Sequence, residues 1–174
     1  DGVKVPIALE IDAPEQAGMD RLVNAYEAFE TYNQALIALD FGTGTTFDVV
    51  SHTGAYLGGA ISPGIHQAVE AMYIAASRLP RIAVDKPLQV IGKATVPCMQ
   101  SGVFWGYIGL IEGLVTRIRK EYVASTGRND PLPVIATGGL ASLFADETDC
   151  IDEIDPHLTL RGIKRVYEAL TERS

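Results

Sequence analysis

The sequence predicts an α/β domain, a mixed β-sheet with helices on its faces. Three observations predict it. Three β-rich runs follow one another closely between residues 35 and 61, long amphipathic stretches come next, and strand and helix patterns then alternate to the end. Purely parallel α/β folds alternate from the start, whereas a meander followed by alternation mixes antiparallel and parallel pairing.

Each element has its own signal. Residues 3–11 alternate weakly between apolar and polar and are expected to form a strand. A turn at Asp12-Ala13-Pro14-Glu15 leads into a helix over 18–29, with Leu22, Val23, Tyr26 and Phe29 on one stripe. Residues 35–41 are almost continuously apolar, as a strand buried on both faces would be. A Thr- and Val-rich strand is expected over 45–51, and a third over 55–61 after the His52-Thr53-Gly54 turn. Pro63-Gly64 opens a helix predicted to run to residue 79, where Pro80 stops it.

A second helix is predicted over 101–123, where Val103, Tyr107, Ile108, Ile111, Leu114, Val115, Ile118 and Tyr122 keep a broad apolar stripe. Beyond the loop at 126–130 come a strand over 132–136, a Gly-Gly turn with a short helix, a weaker strand at 150–154 and a closing helix over 158–170. This order matches the ribonuclease-H-like lobe shared by actin, sugar kinases and Hsp70 chaperones, the actin-like ATPase superfamily, in which two lobes enclose a nucleotide. The sequence divides into a linker strand and helix over 1–34 and one such lobe over 35–174.

Composition narrows the partners. The 174 residues are 47% hydrophobic and 21% charged, with net charge −8, in the range of a chain that builds a core. The one cluster of basic residues, Arg117, Arg119 and Lys120, recurs at helical spacing and reads as a solvated helix end. A nucleic acid needs a basic face, so it is not an expected partner. Apolar stretches are broken well short of the ~20 residues that span a bilayer, so no membrane segment is expected. Cys98 and Cys150 stand alone, which fits a reducing, cytoplasmic compartment without a disulfide framework. The opening Asp1-Gly2-Val3-Lys4 is unlike a signal peptide and reads as mid-protein sequence.

Three stretches carry chemistry. Asp40-Phe41-Gly42-Thr43-Gly44-Thr45-Thr46 sets an acid at the end of a buried strand, followed by small and hydroxyl residues. Glycines let backbone N–H groups approach an anion and threonines add donors, although an ordinary β-turn reads the same way. No Gly-Lys-Ser/Thr follows, so it is not a Walker loop. Ala136-Thr137-Gly138-Gly139-Leu140-Ala141 joins a strand to a helix and suits a phosphate or flat ring, or is a plain turn. Gly18-Met19-Asp20-Arg21 opens the first helix. Asp20 there is either a favourable charge in the first turn beside a solvated Arg21, or a carboxylate base beside a substrate-fixing arginine. Spacing does not choose between them.

These stretches, together with Leu57-Gly58-Gly59-Ala60-Ile61-Ser62-Pro63-Gly64, Ile91-Gly92-Lys93-Ala94-Thr95, Gln100-Ser101-Gly102 through Gly106-Tyr107, and Asp155-Pro156-His157-Leu158-Thr159-Leu160-Arg161-Gly162, recur in an order that resembles the type III pantothenate kinase (Bvg accessory factor-like) family. The likeness runs from about residue 14 to about residue 170. It implies an enzyme that uses ATP to phosphorylate pantothenate to 4'-phosphopantothenate, the first step of coenzyme A biosynthesis. It also implies Asp20 as proton acceptor and Gly18, Met19, Asp20 and Arg21 as the lining of the pantothenate site. Thr95 would touch pantothenate, Thr43 would contact ATP, and Asp40 would hold a monovalent cation, K+ or NH4+. Mg2+ would accompany the nucleotide. The family is homodimeric, with the acceptor site close to the subunit boundary.

Gly44 stands where the family usually has Ala, and Met19 where it commonly has a smaller residue; neither removes a functional atom. The Asp-x-Gly-Asn-Thr phosphate loop of the family's N-terminal lobe has no counterpart in these residues, so that lobe is expected to be missing and the chain alone to be inactive. His52, His66 and His157 are scattered and expected at the surface or in turns. Trp105 and Tyr107 are expected in the core or a dimer contact, Lys93 on the surface, and the acidic run from Asp146 to Asp155 in solvent.

Overall fold

In the computed structural model, which describes residues 4–76 and 79–171, a single turn of 3-10 helix (Pro14–Gln16) precedes α1 (Met19–Tyr32). Then follow β1 (Leu36–Phe41), β2 (Gly44–Val50), β3 (Tyr56–Pro63), α2 (Ile65–Ala75), α3 (Thr95–Thr126), β4 (Val134–Gly138), α4 (Ala141–Ala145), β5 (Glu153–Ile154) and α5 (Leu158–Thr171). The five strands make one sheet in the order β3-β2-β1-β4-β5. The β1–β2 and β2–β3 pairs are antiparallel, and β1–β4 and β4–β5 are parallel. A meander with two parallel strands added through helical crossovers is the ribonuclease-H-like arrangement that the element order implies.

Side chains alternate across β1, and each set has its own cover. Leu36 and Ala38 join Val50, Tyr56 and Ile135 beneath α1 and α5, where Leu22, Val23, Ala25, Ala28, Leu158 and Val166 close one core. Ile37, Leu39 and Phe41 join Phe47, Val49, Val134 and Ala136 beneath α3 and α4 in the second. Phe144 lies at the centre of an aromatic cluster there, its ring 5.4 Å from Phe41 and Phe104 and 5.2 Å from Tyr107. Such clusters add about 0.5–1.5 kcal/mol per ring pair beyond area burial. β1, covered on both faces, is the axis of the molecule.

Helix ends follow local chemistry. Asn33 takes a left-handed conformation (φ 49°) and its N–H closes α1 on the Phe29 carbonyl; Gly127 (φ 68°) does the same for α3 on Val123. α1 therefore continues to Tyr32, one turn past its predicted end. α3 starts at Thr95 rather than 101, since Pro97 falls in the first turn where its missing N–H has no helical partner to lose. α2 ends at Ala75, and positions 77–78 of its predicted span lie outside the described residues.

The strand predicted over 3–11 does not form, and Val3 lies outside the described residues. Leu9 alone bridges Tyr56, with Tyr56 N–H donating to the Ala8 carbonyl and Glu10 N–H to the Tyr56 carbonyl. Pro6 cannot donate to a ladder, which stops the pairing there. β5 shrinks to two residues, because Asp152 folds back so that its carboxylate accepts the Val134 N–H at 2.8 Å.

Candidate active site

Asp40 is the last but one residue of β1 and shares its face with Leu36 and Ala38, so its carboxylate points towards α1. There it accepts a hydrogen bond from Asn24 Nδ2 at 3.0 Å. Asn24 is 1% exposed, and its Oδ1 is buried without a hydrogen-bond partner among the described residues. Cross-strand register sets Thr46 and Thr137 beside Asp40, and Asp48 beside Ala38. Asp48 thus lies on the same face, 1% exposed in mid-strand.

A buried carboxylate must be paired and hydrogen-bonded to stay charged. Asp48 Oδ1 accepts from Arg21 Nε at 2.8 Å and from the Tyr56 hydroxyl at 2.8 Å, and lies 2.7 Å from Arg21 Nη2 as an ion pair. Its Oδ2 accepts from the Thr46 hydroxyl at 2.8 Å. The Arg21 guanidinium lies 5.8 Å from the centre of the Tyr56 ring. Burial first, and then the Asp48 charge, push the Tyr56 phenol up, so it stays protonated and donates. The first two turns of α1 are thereby tied to β1 through Asn24 and to β2 through Arg21.

Asp20, by contrast, is exposed. Its Oδ1 accepts the backbone N–H of Arg21 at 2.9 Å. A Cβ at position 18 would come 2.7 Å from that same oxygen, so Gly18 leaves the room the Asp20 carboxylate occupies. Met19 beside it is 43% exposed.

The β1–β2 hairpin and the β4–α4 turn meet at this end of the sheet. Gly42 N–H donates to the Gly44 carbonyl at 3.1 Å, and Gly64 N–H to the Thr43 carbonyl at 3.1 Å, which holds the exposed Thr43 at the tip. Gly138 (φ 92°) lets β4 run close to β1, for a Cβ there would lie 2.6 Å from the Phe41 carbonyl oxygen and 2.8 Å from Asp40 Oδ1. Gly139 is exposed with open space about it. The carboxyl ends of adjacent parallel strands, where the strand order turns back on itself, are where open α/β sheets bind ligands.

Burial raises the Asp40 carboxyl above its ordinary range; the Asn24 hydrogen bond opposes this, and the charges of Asp20 and Asp48 add to it. Three carboxylates therefore act on one another beside a single paired arginine. Among the described residues no three of His, Cys, Asp and Glu converge closely enough to hold a metal by themselves. A hard, singly charged ion at Asp40 fits this donor chemistry, since it would offset the half-buried carboxylate charge.

The residues singled out in the sequence divide accordingly. Gly18, Met19, Asp20 and Arg21 open the helix that lies against Asp40, and Thr43 tips the hairpin that follows it. Thr95 is exposed in the first turn of α3, and no hydrogen bond or ion pair among the described residues joins it to the others. The reading of Arg21 as a solvated neighbour fails, because its side chain is 17% exposed and paired. His52, His66, His157 and Lys93 are exposed; Tyr107 is buried, its hydroxyl against that of Thr45; Trp105 packs on the α3 core.

Sequence reasoning missed Asn24, Asp48 and Tyr56. An ionisable residue inside the apolar run Phe47-Asp48-Val49-Val50 was a usable signal, since a strand buried there must pair it. The acidic run does not wholly face solvent: Asp155 is 7% exposed and grips Arg161, with Nη1 at 2.8 Å and Nη2 at 2.5 Å. Arg161 and Arg165 both reach Glu27 of α1, which is fully buried.

Comparison with known proteins agrees with this picture. A solved structure described as a Baf family transcriptional activator from Campylobacter jejuni superposes with TM-score 0.64 over 97% of this chain and 70% of its own, at 21% identity, and shares the fold. A type III pantothenate kinase from Paramagnetospirillum magneticum is 53% identical over 167 residues, 96% of this chain, and one from Rhodospirillum rubrum is 54% identical over 165. The chain spans 62% of the length of each of these two relatives. The sequence profile of the type III pantothenate kinases matches residues 1–117. The chain belongs to the type III pantothenate kinase family.

Proposed function

We propose that this chain is the acceptor-side lobe of an enzyme that transfers the ATP γ-phosphoryl group to pantothenate, giving 4'-phosphopantothenate at the entry to coenzyme A biosynthesis. One observation carries the reading. The solvent-open Asp20 carboxylate and the half-buried Asp40 lie at one end of the sheet, near enough for Asp20 to act on the Asp40 charge.

The primary hydroxyl oxygen of pantothenate attacks the γ-phosphorus while the bond from that phosphorus to the β–γ bridging oxygen breaks, and ADP leaves with the bond's electrons. The hydroxyl proton passes to Asp20, whose carboxylate faces solvent and, among the described residues, accepts only the Arg21 N–H. Arg21 orients the acceptor from beside it, and Met19, Gly18 and Thr95 complete the pantothenate site. Thr43 and the hairpin backbone meet the nucleotide. Asp40 holds K+ or NH4+, which when bound supplies fixed positive charge near the phosphates; Mg2+ arrives with ATP. The enzyme works as a homodimer in the cytoplasm.

The test joins this chain to the N-terminal lobe of the Paramagnetospirillum magneticum relative and measures phosphopantothenate formation with ATP, Mg2+ and K+. Turnover on pantothenate supports the reading. A fold-competent chimera that hydrolyses or transfers nothing in its presence, or prefers a different alcohol, overturns it.

A further inference from the structure

Arg21 has five N–H donors; Asp48 accepts that of Nε, and its Oδ1 lies 2.7 Å from Nη2 as an ion pair. Nη1 has no hydrogen-bond partner among the described residues. The carboxylate that holds the guanidinium cannot swing, since the Tyr56 hydroxyl fixes one of its oxygens and the Thr46 hydroxyl the other. The Tyr56 ring lies against the guanidinium as well. Asp48 and Tyr56 are buried beneath α1, each outside the stretches that the sequence marked as functional.

We infer that Asp48, backed by Tyr56, is a positioning residue that presets Arg21 for the acceptor substrate. The inference rests on the pantothenate reading above. A free arginine must give up its rotamer freedom when a ligand arrives; here folding has already fixed it, so binding no longer bears that cost. Neutralisation by Asp48 also means that Arg21 acts on the substrate through directed hydrogen bonds rather than through net charge. A mere staple between α1 and β2 would make the same contacts, but it would not couple Asp48 to ligand affinity through Arg21.

The test uses the 174-residue chain, 15N-labelled, with pantothenate as the ligand. The Arg21 Nε–H resonance, assigned by its loss in Arg21→Gln, is expected to be resolved and slow to exchange in the native chain. In Asp48→Asn it merges with the solvent-exposed arginines. The pantothenate dissociation constant rises about tenfold in Asp48→Asn, and the double variant Asp48→Asn/Arg21→Gln binds no more weakly than Arg21→Gln alone. If Asp48→Asn does not fold, Tyr56→Phe keeps the carboxylate and is expected to show a rise of about two- to threefold with a partial loss of the Arg21 signal. Losses that multiply in the double variant, or an Arg21 signal indifferent to both substitutions while pantothenate still binds, overturn the positioning role alone. A native chain that ignores pantothenate while the Arg21 signal responds as expected overturns the functional reading, and the positioning role with it.

Discussion

Replacing Glu27 of α1 should destabilise the lobe less than removing the two arginines that meet it. Glu27 is completely buried, yet it accepts from Arg161 Nε at 3.0 Å, from Arg165 Nε at 2.6 Å and from the Thr31 hydroxyl at 3.0 Å. The arginine side chains are 41% and 40% exposed. In Glu27→Gln the side chain keeps its volume, Arg165 turns to water and Arg161 stays on Asp155, so the loss is that of charge-assisted hydrogen bonds, about 2 kcal/mol. In Arg161→Met/Arg165→Met a carboxylate without water is left with a hydroxyl alone, which costs about 3–5 kcal/mol. A domain of this size loses roughly 2–4 °C of Tm per kcal/mol, so thermal unfolding separates the two variants.

The acid limb checks the same reasoning. Burial works against ionising Glu27, but the hydrogen bonds of Arg165 and Arg161 outweigh it and hold its carboxyl below the usual range. The Arg161 hydrogen bonds do the same for Asp155. A lowered folded pKa gives stability that is full above the unfolded value, about pH 4, and lost as pH falls through the folded value. The deficit of Glu27→Gln should therefore hold from neutral pH to about pH 5 and then shrink. A Gln variant as damaged as the arginine pair, or a deficit unchanged down to pH 2, would refute the argument.

Three further outcomes are expected. In the two-lobe chimera, Asp20→Asn keeps the side-chain shape but removes the proton acceptor, and turnover should fall by roughly 10²-fold or more while ATP still binds; near-normal turnover removes Asp20 from that role. Asp40 has its pKa raised in the fold, so its ionisation opposes folding above that pKa and the native lobe regains the loss as pH falls through it. Asp40→Asn should accordingly melt higher than the native chain at neutral pH, by a margin that closes in acid, and K+ should raise the melting temperature of the native chain only; equal melting curves, or equal responses to K+, count against a cation at Asp40. Finally, the 174 residues hold no Asp-x-Gly-Asn-Thr loop, so the chain assayed alone should form no measurable phosphopantothenate; turnover like that of a full-length relative would show that a second phosphate loop lies within it.

Much of the fold was legible because its signals are local. The apolar run at 36–41, the hairpin glycines and the stripe of α3 each report a single element, and each element formed. The strand expected at 3–11 failed for a reason also written locally, in Pro6, although the alternation around it spoke more loudly. In the site, the motif residues Asp20, Arg21, Asp40 and Thr43 came from order along the chain. What held them in place did not. Asp48 and Tyr56 matter only because register and side-chain alternation turn them towards α1, and Asn24 because a helix packs across a strand end. Glu27, Asp155, Arg161 and Arg165 read as surface charge until α5 docks against α1, where a Cβ at Gly162 would lie 2.7 Å from Val23 Cγ1.

The alternation along the β1–β2 hairpin restricts how these proteins can vary. Asp40 and Asp48 face α1, while Thr45, between them in sequence, meets Tyr107 on the opposite side. Inserting or deleting one residue between them would send one acid beneath α3, among aromatic rings, because a slip of one exchanges the two faces of a strand. Changes in the length of the hairpin are therefore costly. Variation in this family should therefore accumulate as insertions in residues 79–94 ahead of α3, whose side chains are largely exposed, and hardly at all between residues 36 and 50.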